Sequence, residues 1–329
     1  MSRVWRAEAG ERSGKNPYNE TGIRLEGWSI PKVLMQGTGL YRYSLFLAAC
    51  TLVLVVAGAS VTSQEAGLSV PDWPLSYGKI MPPMTGGIFY EHGHRMIATW
   101  VGFLTVVLAI WQWRVEDRQW MKRLGFSALG LVIVQGVFGG LTVLFLLPKG
   151  ISIVHACLAE IFFSTTVAIA LFHSPGWRQG PDYVSDSGTP SLRALATVTP
   201  VAVLAQVALG AAFRHRLMGV VPHIIGAMIV TAIILYAAIA VLAEHKQHRA
   251  LRRSATALVV IAFVQVFLGI AAYLSRIATA DSVRPEPVMV ILTVLHVAVG
   301  AMTLAASVVL AIQVRRNVQP EPVPALHSA

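Results

Sequence analysis

Eight long runs of apolar residues constrain the fold of this 329-residue chain more than any other feature. They cover residues 41–62, 90–113, 123–147, 151–173, 191–213, 220–243, 253–274 and 288–314. A helix needs roughly 20 apolar residues to cross a bilayer, where its backbone must satisfy its own hydrogen bonds. Only 13% of the residues are charged, against about 25% in soluble domains. The pattern predicts an all-α integral membrane protein with eight transmembrane helices.

The distribution of basic residues predicts the orientation of these helices. Eight spans place both termini on one side, and that side carries 19 of the 26 Lys and Arg residues. The other side carries six, and Arg95 lies inside a helix. The positive-inside rule therefore predicts cytoplasmic termini in a bacterial inner membrane. The net charge of +10 reflects this orientation and does not indicate binding to nucleic acid.

Composition divides the chain into five segments. Residues 1–40 are polar and basic and are predicted to form a cytoplasmic extension. Residues 41–173 and 191–314 form two four-helix halves, joined over residues 174–190 by a cytoplasmic linker rich in Gly, Pro, Ser and Asp. The cytoplasmic tail, residues 315–329, is Pro-rich from Gln319 onward and is predicted to be disordered there.

The two halves repeat a short motif. The first helix has Gly58 near its outer end and Leu54 four residues earlier, and the other odd-numbered helices have Gln in place of that Leu. These other copies are Gln135–Gly139, Gln206–Gly210 and Gln265–Gly269. The repetition predicts two pseudo-symmetric four-helix bundles with similar pockets. Alternatively, the motif serves only close helix packing and interhelical hydrogen bonds.

Each even-numbered helix carries a histidine toward its outer end. The four are His94, His155, His223 and His296. An ionisable side chain near hydrocarbon indicates a functional site, and two facing imidazoles commonly hold a six-coordinate heme iron in a helix bundle. Zinc is a poorer fit, because these histidines lie on separate helices, two in each half, and such widely spaced ligands suit a flat macrocycle between helices better than a compact zinc site. Two histidines in each half therefore predict two heme sites.

Other charged residues at this level are candidates for heme contacts. Several cations are placed either to bind heme propionates or to reach lipid headgroups. They are Arg95, Lys149, Arg214 and Arg216. Glu91 lies three residues before His94 on the same helix face. It is predicted to handle protons or charge there, or alternatively to stabilise the helix N-terminus.

The remaining polar residues of the spans receive simpler predictions. Glu160, five residues beyond His155, is either a proton-handling group or a protonated structural one. Cys50 and Cys157 are predicted to pack as small apolar side chains. The histidines at the cytoplasmic edge are predicted to be solvated, and these are His173, His245 and His248.

The first outer loop carries a family resemblance. Residues 63–89 are dense in Gly, Pro and aromatic residues, which predicts an ordered lid over the first pocket. The stretch GASVTSQEAGLSVPDWPLSYGKIMPP, followed by FYEHGHR, resembles the signature of heme A synthases, membrane enzymes of cytochrome oxidase assembly. The resemblance covers residues 41–314, with eight helices and one histidine in each even-numbered helix.

The resemblance implies a role for each half. His94 and His155 would line the site where heme O is oxidised, with Glu91 as the functional carboxylate, and His223 and His296 would ligate heme b. The implied oxidoreductase converts the C8 methyl of heme O to the formyl of heme A by successive hydroxylations with oxygen from water. The implied partners are a heme O synthase, a membrane electron acceptor and a second copy of the chain.

One departure from the family pattern narrows the resemblance. Many bacterial members have a cysteine pair in the first outer loop. By similarity of the surrounding sequence, Val70 and Ser76 occupy the corresponding positions here. The chain therefore resembles a cysteine-free subgroup, in which no thiol of that loop transfers electrons or heme.

Two other classes of protein remain as alternatives. One is a diheme b-type electron-transfer protein that oxidises no substrate, and the other is a transporter or heme chaperone. A transporter would need a polar pathway, and these spans are poor in charge.

Overall fold

The computed structural model describes residues 32–186 and 188–320. Its long helices are α1 (Lys32–Ser63), α2 (Gly87–Val115), α3 (Gln119–Leu144), α4 (Lys149–His173), α6 (Leu192–Arg214), α7 (Val221–Glu244), α8 (Arg249–Ala278) and α9 (Pro287–Asn317). The short elements are α5 (Pro175–Arg178), β1 (Val184–Asp186) and β2 (Val318–Pro320). All eight long helices have the length and hydropathy to cross a membrane, so the predicted fold class is confirmed.

The outer faces of the bundle are apolar, as a bilayer requires. On α7, Met228 is 69% and Ile239 61% exposed, and on α8 Phe267 is 69% exposed. Such a continuous apolar surface would be unstable in water but is the normal lipid-facing side of a membrane bundle. The chain is therefore a multi-pass membrane protein.

Each half is a closed ring of four helices. Consecutive helices pack together in both halves, and the first helix of each ring also packs against the fourth. Between the halves, α9 packs against α1 and α4, and α4 also packs against α6. Exchanging α1 with α6 and α4 with α9 leaves this set of contacts unchanged. Two copies of one four-helix unit would produce such a pattern.

At their outer ends, α8 and α9 extend further past the residues of the repeat than the other helices do. α8 continues from Gly269 to Ala278, whereas α6 ends at Arg214, about one turn after Gly210. α9 begins at Pro287, so His296 lies well inside this helix. The α8–α9 pair therefore projects beyond the other helices at the end of the bundle that carries the four histidines, hereafter the histidine end.

The linker and the start of the tail are ordered together, contrary to the predicted disorder from Gln319. Strand β1 of the linker pairs in parallel with β2, with Val184 opposite Val318 and Asp186 opposite Pro320. Asp186 also accepts a 2.6 Å hydrogen bond from the backbone N–H of Leu192 at the start of α6. The strand pairing joins residues 134 positions apart. The N-terminal segment 1–31 and the rest of the tail, 321–329, lie outside the described residues.

The opposite end of the first half is held by a buried polar cluster around His173. This side chain is 1% exposed, and its Nδ1 lies 3.0 Å from Ser44 Oγ on α1. Its Nε2 lies 3.5 Å from Glu116 Oε2 in the α2–α3 loop. His245 and His248 are also buried, at 9% and 7% exposure. The prediction that these histidines are solvated is wrong, because linker and loop segments cover this end of the helices.

Glu116 makes this cluster sensitive to acid. Burial alone would raise the pKa of Glu116, but hydrogen bonds from the side chain and backbone of Arg118 outweigh it and lower the pKa to about 2. A carboxyl whose folded pKa is depressed contributes stability above its unfolded pKa of about 4.3, and this is lost as pH falls toward 2. We expect the melting temperature to fall over this range, and to fall less in Glu116→Gln. Glu65→Gln, a change at an exposed carboxylate, is the control and should behave like wild type. An equal fall in melting temperature in all three proteins would contradict the assignment of this acid sensitivity to Glu116.

Candidate heme sites at the histidine end

Each of the four outer histidines packs against a glycine of the preceding helix. A Cβ placed on that glycine would lie 2.8 to 3.2 Å from the Cε1 atom of the imidazole, closer than side-chain carbons normally approach. The pairs are Gly58–His94, Gly139–His155, Gly210–His223 and Gly269–His296. The glycines of the repeat therefore have a defined purpose, because they leave room for the imidazole rings between adjacent helices.

Two glutamines of the repeat lie beside the imidazole of the following helix, Gln206 closely and Gln135 more loosely. Gln206 Nε2 lies 2.9 Å from His223 Nδ1 and donates a 2.8 Å hydrogen bond to the backbone oxygen of His223. Gln135 Nε2 lies 3.5 Å from His155 Nε2. His94 has no such amide from α1, since Leu54 occupies that position. The glycine contact is thus the constant part of the motif, and the amide orients the ring where it is present.

The geometry of the second half fits a heme held between two imidazoles. The ring centroids of His223 and His296 are 6.2 Å apart, with their planes at 87°. One ion bound by a nitrogen of each ring at roughly 2 Å would place the ring centres roughly 6 Å apart. Among the described residues, Nδ1 of His94, His155 and His296 is buried without a hydrogen-bond partner. Buried polar atoms of this kind are expected to be satisfied by a ligand or water.

Glu91 and Arg95 join the second helix to the first outer loop. Glu91 is 4% exposed, and its Oε2 accepts a 2.8 Å hydrogen bond from the backbone N–H of Val70. Arg95 donates to Glu91 Oε1 at 2.6 Å and to the backbone oxygens of Asp72 and Val70 at 2.7 and 3.2 Å. The ion pair therefore holds the loop over the start of α2. The predicted contact of Arg95 with a heme propionate stays a prediction.

A second buried contact holds the same loop and was not predicted. His92 is 6% exposed, and its Nδ1 lies 2.8 Å from Ser76 Oγ, which is itself buried. Val70 is fully buried. Val70 and Ser76, which stand where many family members have cysteines, thus both anchor the loop, Val70 by its burial and Ser76 by its hydrogen bond with His92. The sequence signal for His92 was only its place next to Glu91, and the repeat has no equivalent of it.

The loop also packs onto the third helix, as a cover over the first half requires. The ring of Trp73 lies against the backbone of Gly140, where a Cβ would be 2.7 Å from the ring. Asp72 accepts hydrogen bonds from the backbone N–H groups of Gly78 and Tyr77 at 2.8 and 2.6 Å. These hydrogen bonds, of which the one from Gly78 has the larger effect, lower the pKa of Asp72. The predicted order of this loop is confirmed, and its function as a lid stays a prediction.

Arg214 joins the two halves at the histidine end. Its Nη2 donates to the backbone oxygen of Ala59 at 2.7 Å and to Ser63 Oγ at 2.8 Å, both on α1. Nearby, Lys149 Nζ donates to the backbone oxygen of Arg216 at 2.8 Å. These cations therefore contact protein groups of the other half, and the predicted role of Arg214 at a propionate remains untested.

Four side chains of α4 have a buried polar atom with no partner among the described residues, namely Ser152, His155, Glu160 and Ser164. Glu160 is 5% exposed, and its Oε2 forms no hydrogen bond. Ser164, one turn further along, is also 5% exposed with an unpaired hydroxyl. Cys50 and Cys157 are free thiols within helices, which agrees with a packing role. The described outer loops contain no cysteine.

The glycine contacts give a direct test of the imidazole positions. In Gly210→Ala, the new methyl would lie 2.9 Å from His223 Cε1, so we expect the ring to be displaced and the heme content of the second half to fall severalfold. The matched control is Gly130→Ala on α3, where a Cβ would meet nothing within 4 Å. An alanine there should stabilise the helix slightly. Heme absorbance per polypeptide gives the heme content of each variant. Equal heme contents in Gly210→Ala and Gly130→Ala would contradict the inference that Gly210 makes room for the His223 ring.

Fold and site together define a class of protein, a multi-pass membrane bundle with a histidine pair in each of two four-helix units. The chain belongs to the cytochrome oxidase assembly protein family (COX15-CtaA), whose sequence model matches residues 41–87 and 86–222. The matched region includes His94 and His155, with Glu91 and the first outer loop.

Several curated relatives are named heme A synthase. The chain is 31% identical to that of Symbiobacterium thermophilum over 181 residues, which is 54% of this chain and 59% of the relative. It is 30% identical to that of Alkalihalophilus pseudofirmus over 133 residues, 39% of this chain and 44% of the relative. For Shouchella clausii the identity is 28% over 137 residues, 40% and 44% of the two chains. The matched part thus spans less than two thirds of each relative.

Proposed function

We propose that this protein is a heme A synthase that oxidises the C8 methyl of heme O to a formyl group. The observation that carries the proposal is the fourfold glycine–histidine contact, which gives each half its own imidazole pair in a chain of this family. Written for the reacting group, R–CH3 + H2O gives R–CHO + 4 H⁺ + 4 e⁻. Side chains alone do not carry out such an oxidation, so it requires a redox cofactor.

The first half is proposed to bind the substrate. His94 and His155 would hold the iron of heme O, and the first outer loop, residues 63–89, would exclude water other than the reactant. Glu91 lies one turn before His94 and is held by Arg95 and Val70. Its carboxylate would stabilise positive charge that develops on the substrate, or accept a proton. The anion's fixed position is what makes it useful, since it need not reorganise during the reaction.

The second half is proposed to bind heme b through His223 and His296. Heme b, when bound, supplies a one-electron redox centre. Gln206 orients His223, and Arg214 with its contacts to α1 fixes this site relative to the first half. The positive-inside distribution supports cytoplasmic termini in a bacterial inner membrane, with both heme sites toward the outer face. A heme O synthase would deliver the substrate, and a second copy of the chain is a further candidate partner.

The alternative function is a diheme b-type electron-transfer protein. It shares the two histidine pairs but oxidises no substrate, so the hemes that the protein holds distinguish the two functions. Hemes extracted from protein produced together with a heme O synthase, and resolved by mass, distinguish them. The synthase predicts heme b together with heme O or heme A, and heme A should be absent from cells that lack this chain. Heme b alone, in a protein with full heme occupancy, would contradict the synthase.

A further inference from the structure

A groove of about 290 Å³ lies between the two halves, further from the histidine end of the bundle than the histidine pairs themselves. Helices α3, α4, α6 and α9 line it, with Ile161, Ser164 and Ala168 of α4 on one wall and Val201 of α6 on another. The lining is almost entirely apolar. Val201 is 66% exposed, so the groove borders the lipid-facing surface of the bundle.

One polar side chain that lines the groove, Ser164, lacks a hydrogen-bond partner among the described residues, and a second, Glu160, lies one helical turn from Ser164 without itself lining the groove. The hydroxyl of Ser164 is buried and forms no hydrogen bond among the described residues, whereas the adjacent Thr165 donates to the backbone oxygen of Ile161 at 2.8 Å. Glu160 lies four residues before Ser164, hence on the same face of α4, and its Oε2 is unpaired too. Leaving such groups without partners in an apolar interior is costly. The pair therefore calls for a ligand with hydrogen-bonding atoms at one end.

The groove lies at a similar depth below both histidine pairs. Ser164 follows His155 by nine residues on α4, and Leu304, which also lines the groove, follows His296 by eight on α9. At 1.5 Å per residue these separations are about 13 and about 12 Å along the helix axes. A group bound at Ser164 would therefore lie between the two halves, close to both proposed hemes.

We propose that this groove binds an isoprenoid quinone, with its ring at Ser164 and Glu160 and its chain along the apolar wall. The inference rests on the proposed function, whose four electrons and four protons need an acceptor. With a quinone Q the reaction balances as R–CH3 + H2O + 2 Q → R–CHO + 2 QH2. Quinone carbonyls accept hydrogen bonds, which the Ser164 hydroxyl and a protonated Glu160 can donate. A phospholipid acyl chain would leave both groups unpaired.

The test uses the purified protein in phosphatidylcholine nanodiscs that contain no quinone. Decyl-ubiquinone and a short-chain menaquinone analogue are titrated by quenching of tryptophan fluorescence, and an azido-quinone maps the site by mass spectrometry. We expect the label on α4 or α6 at the groove. Val201→Trp, which fills the groove, should weaken binding at least tenfold, and Ser164→Ala by about five- to tenfold. Val198→Trp is the control, since Val198 is 52% exposed on the same helix but outside the groove.

The outcomes separate this inference from the proposed function. Equal quinone affinity in Val198→Trp and Val201→Trp, labelling elsewhere, or no quinone binding by wild type would overturn the quinone site. If Val201→Trp abolishes quinone binding but cells still make heme A at the wild-type rate, the groove is not the acceptor site and the synthase stands. If wild type binds quinone in the groove but makes no heme A, the binding site stands and the proposed function fails.

Discussion

Replacing His223 or His296 with alanine is expected to remove heme b from the protein while heme O or heme A is retained. The ring centroids lie 6.2 Å apart, and the loss of either imidazole leaves the proposed iron with a single protein ligand. Because each half is a closed ring of helices, the loss should not reach the first half. Heme b per polypeptide, measured after extraction, should fall from one equivalent to near background.

The matched control for these variants is His245→Ala. His245 is a buried histidine of the second half, but it follows α7 at the opposite end from His223. This variant should keep both hemes. If His223→Ala and His296→Ala instead lose all heme types equally while remaining folded, the two pockets are not independent and the assignment of one heme to each half is wrong.

Glu91→Gln is expected to slow heme A formation by roughly 10²–10³, the usual effect of removing one charge-stabilising group. The amide can still accept from the Val70 N–H, but it cannot pair as an anion with Arg95. The variant should fold, keep heme b, and accumulate heme O or its hydroxymethyl intermediate. Mass analysis of extracted hemes over time measures the rate. Wild-type output would reduce Glu91 to an anchor for the loop.

A second variant separates the charge of Glu91 from its effect on the loop. Ser76→Ala removes the hydroxyl that lies against His92 and accepts a 3.5 Å hydrogen bond from Arg95 Nη1, but it keeps the 2.6 Å ion pair between Arg95 Nη2 and Glu91. If Glu91 acts through its charge, Ser76→Ala should slow the reaction far less than Glu91→Gln does. Equal defects would mean that both residues act only by holding the loop.

The sequence predicted the features that lie within single helices. Apolar runs identify the eight spans because lipid requires them, and the four histidines stand out because ionisable groups are rare there. The repeated Gly was visible too, but its purpose was not. Only the packing of α6 against α7 shows that Gly210 makes room for His223. The interpretation of these glycines as general packing residues was therefore incomplete rather than wrong.

The features that the sequence could not predict depend on contacts between distant backbone groups. Arg95 binds loop carbonyl oxygens, which every residue has, so no side-chain pattern indicates them. The pairing of β1 with β2 involves three residues in each strand and leaves no periodic signal. His173 was assigned to solvent from its place at a helix end, but the α2–α3 loop covers it. In each case the tertiary arrangement, and not local composition, determines the environment.

Single-turnover conversion of bound heme O shows whether this chain itself carries out the oxidation. Purified protein loaded with heme O is mixed under argon with ferricyanide as the electron acceptor, and hemes are extracted at intervals and resolved by mass. We expect heme O to decline as the hydroxymethyl form and then heme A appear, without oxygen gas. Heme O that stays unchanged in a folded protein with full heme b would contradict it.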